Sequence, residues 1–161
     1  MKESDNMKTI CQMMEHLYWA NRQLLSGLSG IRSLDRETMT LFRHIAAAEK
    51  IWLHRLEGRD NPHLSLWEHA SISELEELVR DNEQNYKKYI AGLSEDRLDT
   101  WIEYKNMSGA SYRTSIRDIL THVALHGQYH RGQINRMLRE QNEEPLSLDY
   151  IAFVRMKPMD S

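Results

Sequence analysis

The 161-residue chain has one cysteine, Cys11, so no internal disulfide can form. That composition fits a reducing compartment, read here as the cytoplasm. No run of ~18 apolar residues occurs, which excludes a membrane-spanning helix of the usual kind. The opening Met1-Lys-Glu-Ser-Asp-Asn6 also lacks the apolar core of an export signal. Charge of one sign is missing as well: 21 Lys and Arg stand against 24 Asp and Glu, a formal net charge of −3. The two signs are interspersed, so there is no basic face of the kind nucleic acids need. Neither internal repeats nor low-complexity stretches divide the sequence, and its length suits a single domain over 1–161 with its own core.

What the chain does have is helical periodicity. Ile10, Met13, Met14, Leu17, Tyr18, Asn21, Leu24, Leu25 and Leu28 recur at helical spacing, predicting a first helix over 6–29 with Asp5 or Asn6 as its cap. Phe42, Ile45, Ala46, Glu49, Trp52, Leu53 and Leu56 predict a second over 38–57, closed by Gly58. Ser73-Glu-Leu-Glu76 has the form of a capping box and opens a third over 72–93. Between Ser94 and Thr114 the period changes, and Trp101 to Tyr104 and Tyr112 flank Asn106-Met-Ser-Gly109 as in a small hairpin or irregular crossing segment. Ser115-Ile-Arg-Asp118 then caps a fourth helix with an apolar stripe of Ile116, Ile119, Leu120, Val123, Ile134, Met137 and Leu138. Pro145 stops any continuation, and Leu148 to Phe153 forms a short C-terminal turn. Amphipathic helices can bury their faces only against one another. The expected fold is therefore all-α, a four-helix bundle with a longer crossing segment between helices three and four.

Three histidines interrupt the stripe of the fourth helix, in His122-Val-Ala-Leu-His126-Gly-Gln-Tyr-His130-Arg-Gly-Gln133. Four helical residues turn the chain by ~400°, so successive members point within ~40° of each other. Two such imidazoles can grip a divalent ion, but a firm site needs a third ligand from another inner face. His44, in the second turn of helix two, is the best candidate. His54 lies ten residues on and points ~80° away from it. His63 and His69 fall in the following loop, His16 is placed on the polar edge of helix one, and Glu49 either pairs with an arginine or ligates. Cys11 reads as a small buried apolar residue, and the tryptophans and methionines as packing.

Tyr18-Trp-Ala-Asn-Arg22, Leu41-Phe-Arg-His-Ile45 with Glu49 and Trp52, the histidine motif itself, and Pro145 to Tyr150 together resemble the DinB-like family. Its members are damage-inducible four-helix-bundle proteins related to bacillithiol- and mycothiol-dependent transferases, and the likeness spans nearly the whole chain. The resemblance implies a divalent metal held by His44, His126 and His130, with His122 close by as outer support, and it implies a homodimer. Imidazole suits zinc, nickel, iron and manganese; zinc or nickel is expected first. Three protein ligands leave a coordination position open, as catalytic sites do. A thiol acidified there would attack an electrophile, making the protein a low-molecular-weight thiol S-transferase; an acidified water would make it a hydrolase. The third reading is a non-catalytic metal-binding stress-response protein. The expected partners are a small thiol and an electrophile, held between the histidines and the segment from Trp101 to Tyr112.

Overall fold

The structure, a computed structural model, describes residues 5–158. Four long helices make the body: α1 (Asp5–Ser29), α2 (Arg36–Leu56), α3 (Ile72–Ala91) and α4 (Ile116–Glu140). A 3₁₀ turn (Glu95–Arg97), an antiparallel hairpin of β1 (Trp101–Lys105) and β2 (Ser111–Ser115), and a short α5 (Tyr150–Arg155) complete it. The helical fold expected from periodicity is present with small shifts at the ends. Asp5 and Asn6 both lie inside α1, so neither is its cap. The Asp35 carboxylate accepts the Thr38 N–H at 2.6 Å and starts α2 two residues early. The capping box of α3 is Ser71 with Glu74, not Ser73 with Glu76. The two motifs overlap in Ser-Ile-Ser-Glu-Leu-Glu, and capping by Ser71 matches the expected start at Ile72, which packs against the core. In the hairpin, the Asn106 side chain accepts from the Ser108 and Ala110 N–H groups, and Gly109 takes the positive φ of 90° that closes the turn.

Buried residues fall into two apolar clusters. One joins the start of α1 (Met7 to Tyr18), the end of α2 (Leu53, Leu56), the end of α3 (Tyr86) and the start of α4 (Ile116 to Ala124). The other joins the end of α1 (Leu24, Leu28), the start of α2 (Met39 to Ala46), the start of α3 (Leu75, Val79) and the end of α4 (Ile134, Leu138). Helices α1 and α4 therefore run one way and α2 and α3 the other. Each helix packs on two neighbours, α4 on α1 and α2, α3 on α1 and α2. Burial of each Leu, Ile or Phe in these clusters contributes roughly 1.5–3 kcal/mol.

This direction pattern decides what each connection must span. Because α2 and α3 are parallel neighbours, residues 57–71 must travel the length of the bundle between them. The stretch from 92 to 115 joins the end of α3 to the start of α4, the helix diagonally opposite at the same end, so it spans the bundle's end and not its length. No described helix is long and apolar enough to cross a membrane.

Between the two apolar clusters lies a buried polar layer with one residue from each helix: Asn21, Glu49, Asn82 and Arg131. Arg131 Nη1 donates to Asn21 Oδ1 (2.8 Å), Asn21 Nδ2 to Glu49 Oε1 (2.8 Å), and Asn82 Nδ2 to Glu49 Oε2 (3.2 Å) and the Ala46 carbonyl (2.8 Å). Burial pushes the Glu49 carboxyl up, against the Asn21 bond, the Arg131 charge and the Asn82 bond. It pulls Arg131 down to about 10, against Glu49. Gly127 makes room: a Cβ there would stand 2.8 Å from Arg131 Nη1. Asn82→Ala removes both donors to this layer and should destabilise the fold by ~1–3 kcal/mol. A lower urea midpoint with unchanged slope is the expected result; an unchanged midpoint would show that the layer does not need Asn82.

Candidate metal centre

His44 faces α4 from the third turn of α2, while His126 and His130 lie one turn apart on the α4 face turned towards it. Their Nε2 atoms converge: His44 to His126 at 3.2 Å, and His130 to His126 at 3.1 Å. One ligand atom from each falls within 4.8 Å of the others. Two nitrogens bound at 2.0–2.1 Å to a tetrahedral ion stand ~3.3–3.4 Å apart, so this spacing fits one common centre.

The remaining ring nitrogens settle the protonation. His44 Nδ1 lies 3.3 Å from the Leu66 carbonyl oxygen, which can only accept, so Nδ1 carries the proton and Nε2 the lone pair. His130 Nδ1 lies 2.6 Å from Gln133 Oε1, giving the same tautomer. His126 Nε2 thus faces two lone pairs, and a single N–H there can satisfy only one. A cation answers all three. Electrostatics favour the same state. Burial, then the His130, His44 and His122 charges, pull His126 down to about 3; burial and His130 lower His44 against the Leu66 bond. Both are neutral at neutral pH, as ligation requires.

Two segments support the ligands from outside, and sequence reading foresaw neither. The connection 57–71 passes over α2, where the Ser65 carbonyl accepts from Arg43, Glu68 pairs with Arg43 at 3.2 Å, and the exposed Trp67 stacks on His44 with ring centres 3.9 Å apart. Gln133, three residues after His130, orients that ring. The only available signal was its place in the His-Arg-Gly-Gln motif. His122 touches His126 through ring contact (5.5 Å) and Trp52 edge-on (5.2 Å), with no hydrogen bond to a ligand histidine among the described residues.

The other sequence candidates lie elsewhere. His16 is buried, not at a polar edge, because its Nε2 meets the Leu148 carbonyl at 2.8 Å and its ring packs on Phe153 and Tyr150 of α5. His54 meets the Asp60 carbonyl. Glu49 is held in the polar layer, so its arginine partner acts through Asn21. A groove of about 510 Å³ adjoins the triad, walled by Trp67, Gln133, Leu41, Met137 and Arg136. The larger cavity at the hairpin, about 1060 Å³, is lined by none of the three histidines. The groove is not lined by them either; it meets the site through Trp67 and Gln133, which contact His44 and His130.

Fold and geometry place the molecule among helical-bundle proteins that carry a three-histidine group able to hold a metal ion. The chain belongs to the DinB family, whose family model matches residues 1–160. It is 26% identical over 160 residues to Protein DinB of Bacillus subtilis, with 90% of this chain and 93% of that protein covered. The crystal structure of a DinB-like protein from Bacillus cereus matches with a TM-score of 0.58 over 85% of this chain and 93% of that one. At 14% identity that likeness concerns the fold.

Two expectations follow from the geometry. His44→Ala, His126→Ala or His130→Ala should each cost far more metal affinity than His122→Ala, while Gln133→Ala should lower it ~10- to 100-fold as an orienting partner does. Competition with a chromogenic chelator measures this; equal losses at His122 and His44 would disqualify the trio. In metal-free protein the native state refuses protons that unfolded histidines accept below ~6.5. Stability should therefore be unaffected by His44 and His126 above that pH and fall as pH drops from there towards 3, a trend that His126→Leu flattens in acid titrations followed by circular dichroism.

Proposed function

We propose that His44, His126 and His130 hold one divalent ion, zinc or nickel first among the imidazole-binding metals, and that the protein is a cytoplasmic S-transferase for a low-molecular-weight thiol. The observation that carries the reading is the convergence of three Nε2 atoms whose partners, Leu66 and Gln133, turn the lone pairs inward. Bound there, such an ion acidifies a thiol at its remaining coordination position. The chain's own part is to bind and orient. Leu66 and Gln133 hold Nδ1 protons on His44 and His130, Trp67 stacks on the His44 ring, and Leu41, Met137 and Trp67 give the groove an apolar wall. Arg136 and Glu37 at its rim provide polar contacts for a thiol or an electrophile.

A homodimer suits the same surface. Leu125 and Tyr129, one turn apart on α4, are 63% and 67% exposed, an apolar pair of which Tyr129 also meets the His130 ring edge-on at 5.1 Å. Light scattering should give twice 19.1 kDa, and Leu125→Arg should halve it.

The activity test offers metal-loaded protein bacillithiol, or a simpler thiol, with a chromogenic electrophile. The expected result is a conjugation rate above background that His126→Ala and chelation both abolish. Cleavage of an ester or amide with no conjugation across the thiol panel would replace the transferase by a hydrolase. The absence of both reactions, with metal binding intact, would favour the non-catalytic stress-response protein.

A further inference from the structure

The hairpin cavity is a site that the metal chemistry leaves unused. Its walls are Arg55 at the end of α2, residues 58–61 of the connection, and both strands of the hairpin with their turn. Arg55 is the unusual member. It is 7% exposed, and its guanidinium packs against two rings that meet edge-on, 4.4 Å from the centre of Trp52 and 4.8 Å from that of Tyr104. Nε donates to Asn61 Oδ1 at 3.0 Å, which leaves the four terminal N–H donors without a protein acceptor among the described residues. No described carboxylate pairs with it either. The neighbouring cations differ: Arg59 pairs with Glu57, and Arg113 with Glu103 at 3.6 Å. A buried charge without a counter-ion is costly, and proteins pair such groups or reserve them for a ligand.

We infer that Arg55 and the hairpin cavity form a binding site for a small organic oxyanion, a carboxylate or a phosphate ester with a flat apolar body. The edge-to-face pair of Trp52 and Tyr104, centres 5.2 Å apart, packs along one side of the guanidinium and holds it in place, so its free edge offers the fork that takes two oxygens of one anion. Lys105 adds a second cation at the wall, while Glu103 is engaged by Arg113 and Asp60 is the remaining acid. Tyr104 and Tyr112, stacked with centres 6.0 Å apart, supply the apolar flank; Tyr112 is 50% exposed. Asn61 braces the wall on both sides, accepting from Arg55 and donating to the Lys105 carbonyl at 2.9 Å. As a binding site this stands on Arg55 and its cavity. As the anchor for an anionic electrophile it rests on the transfer reading, with Trp52 and His122 forming the wall between the anchor and His126.

The test is a titration of the full-length, isotopically labelled protein, chelator-treated and metal-loaded, with benzoate, phenyl phosphate, inorganic phosphate and neutral benzamide, followed by amide chemical shifts. Benzoate or phenyl phosphate should move the Asn61 side-chain signal and residues 103–113 equally with and without metal, and benzamide should not. Binding of benzoate alone identifies a carboxylate ligand, binding of phenyl phosphate alone a phosphate ester, and either supports the site. Arg55→Gln should weaken binding at least about 10-fold, the loss of a charge-assisted pair, with Arg55→Lys in between. Shifts that centre on the histidines and vanish on chelation would assign the anion to the metal and overturn the inference. So would unchanged affinity in Arg55→Gln, or no shift with any anion at millimolar concentration. The wild-type shift map stands even if the variants fold poorly. Because binding is read without turnover, a failed transferase assay leaves its outcome separate.

Discussion

The buried charge of Arg131 is the constraint around which the bundle is arranged. It directly follows His130, and a guanidinium cannot sit in an apolar interior without acceptors. Asn21 of α1 supplies one and Gln128 of α4 a longer second, Glu49 of α2 stands behind Asn21 with its charge, and Gly127 leaves the space one turn back on α4 itself. Once Arg131 is turned into that layer, the rotation of α4 is fixed, and its neighbours in sequence have no freedom left. His126 and His130 are then carried round to the side facing α2. The polar layer costs apolar contact in mid-bundle, and in return it selects one rotational setting out of several that an all-leucine stripe would tolerate.

Chain direction is the second constraint. Parallel neighbours cannot be joined by a tight turn, so the α2–α3 connection runs along the bundle, and its route lies over His44. Arg43 and His44 hold it there through the Ser65 and Leu66 carbonyls, and Trp67 closes on the imidazole. A linker imposed by topology thus becomes part of the site. The hairpin has a comparable role at the other end, where it belongs to the link between the diagonal helices α3 and α4 and walls the cavity around Arg55.

Periodicity made the four long helices legible, because the apolar residues that drive burial are also those that mark the spacing. The histidines on α4 were legible for the same reason: i, i+4 repeats share a face. Helix directions were not, since the stripe of α2 looks the same whichever way its neighbour runs; the lengthwise run of residues 57–71 was therefore not foreseen. His16 was misplaced because its partner, the Leu148 carbonyl, belongs to a segment 132 residues away whose position no local pattern encodes. The role of Gln133 depends on a rotamer, and that of Leu66 on a main-chain atom, neither of which has a compositional signature.

The last point has a practical side for genetics. His44 is oriented by the oxygen of residue 66, and every amino acid possesses that oxygen. Substitution screens will therefore find position 66 permissive and report nothing of its part in the site. Length is what the connection cannot change freely: one residue inserted or deleted between Arg43's contact at Ser65 and the buried Ala70 would slide a different carbonyl past the ring. In a lineage of such proteins the identity of this stretch can drift while its spacing is held, so an insertion map would reveal the constraint that substitution scanning misses.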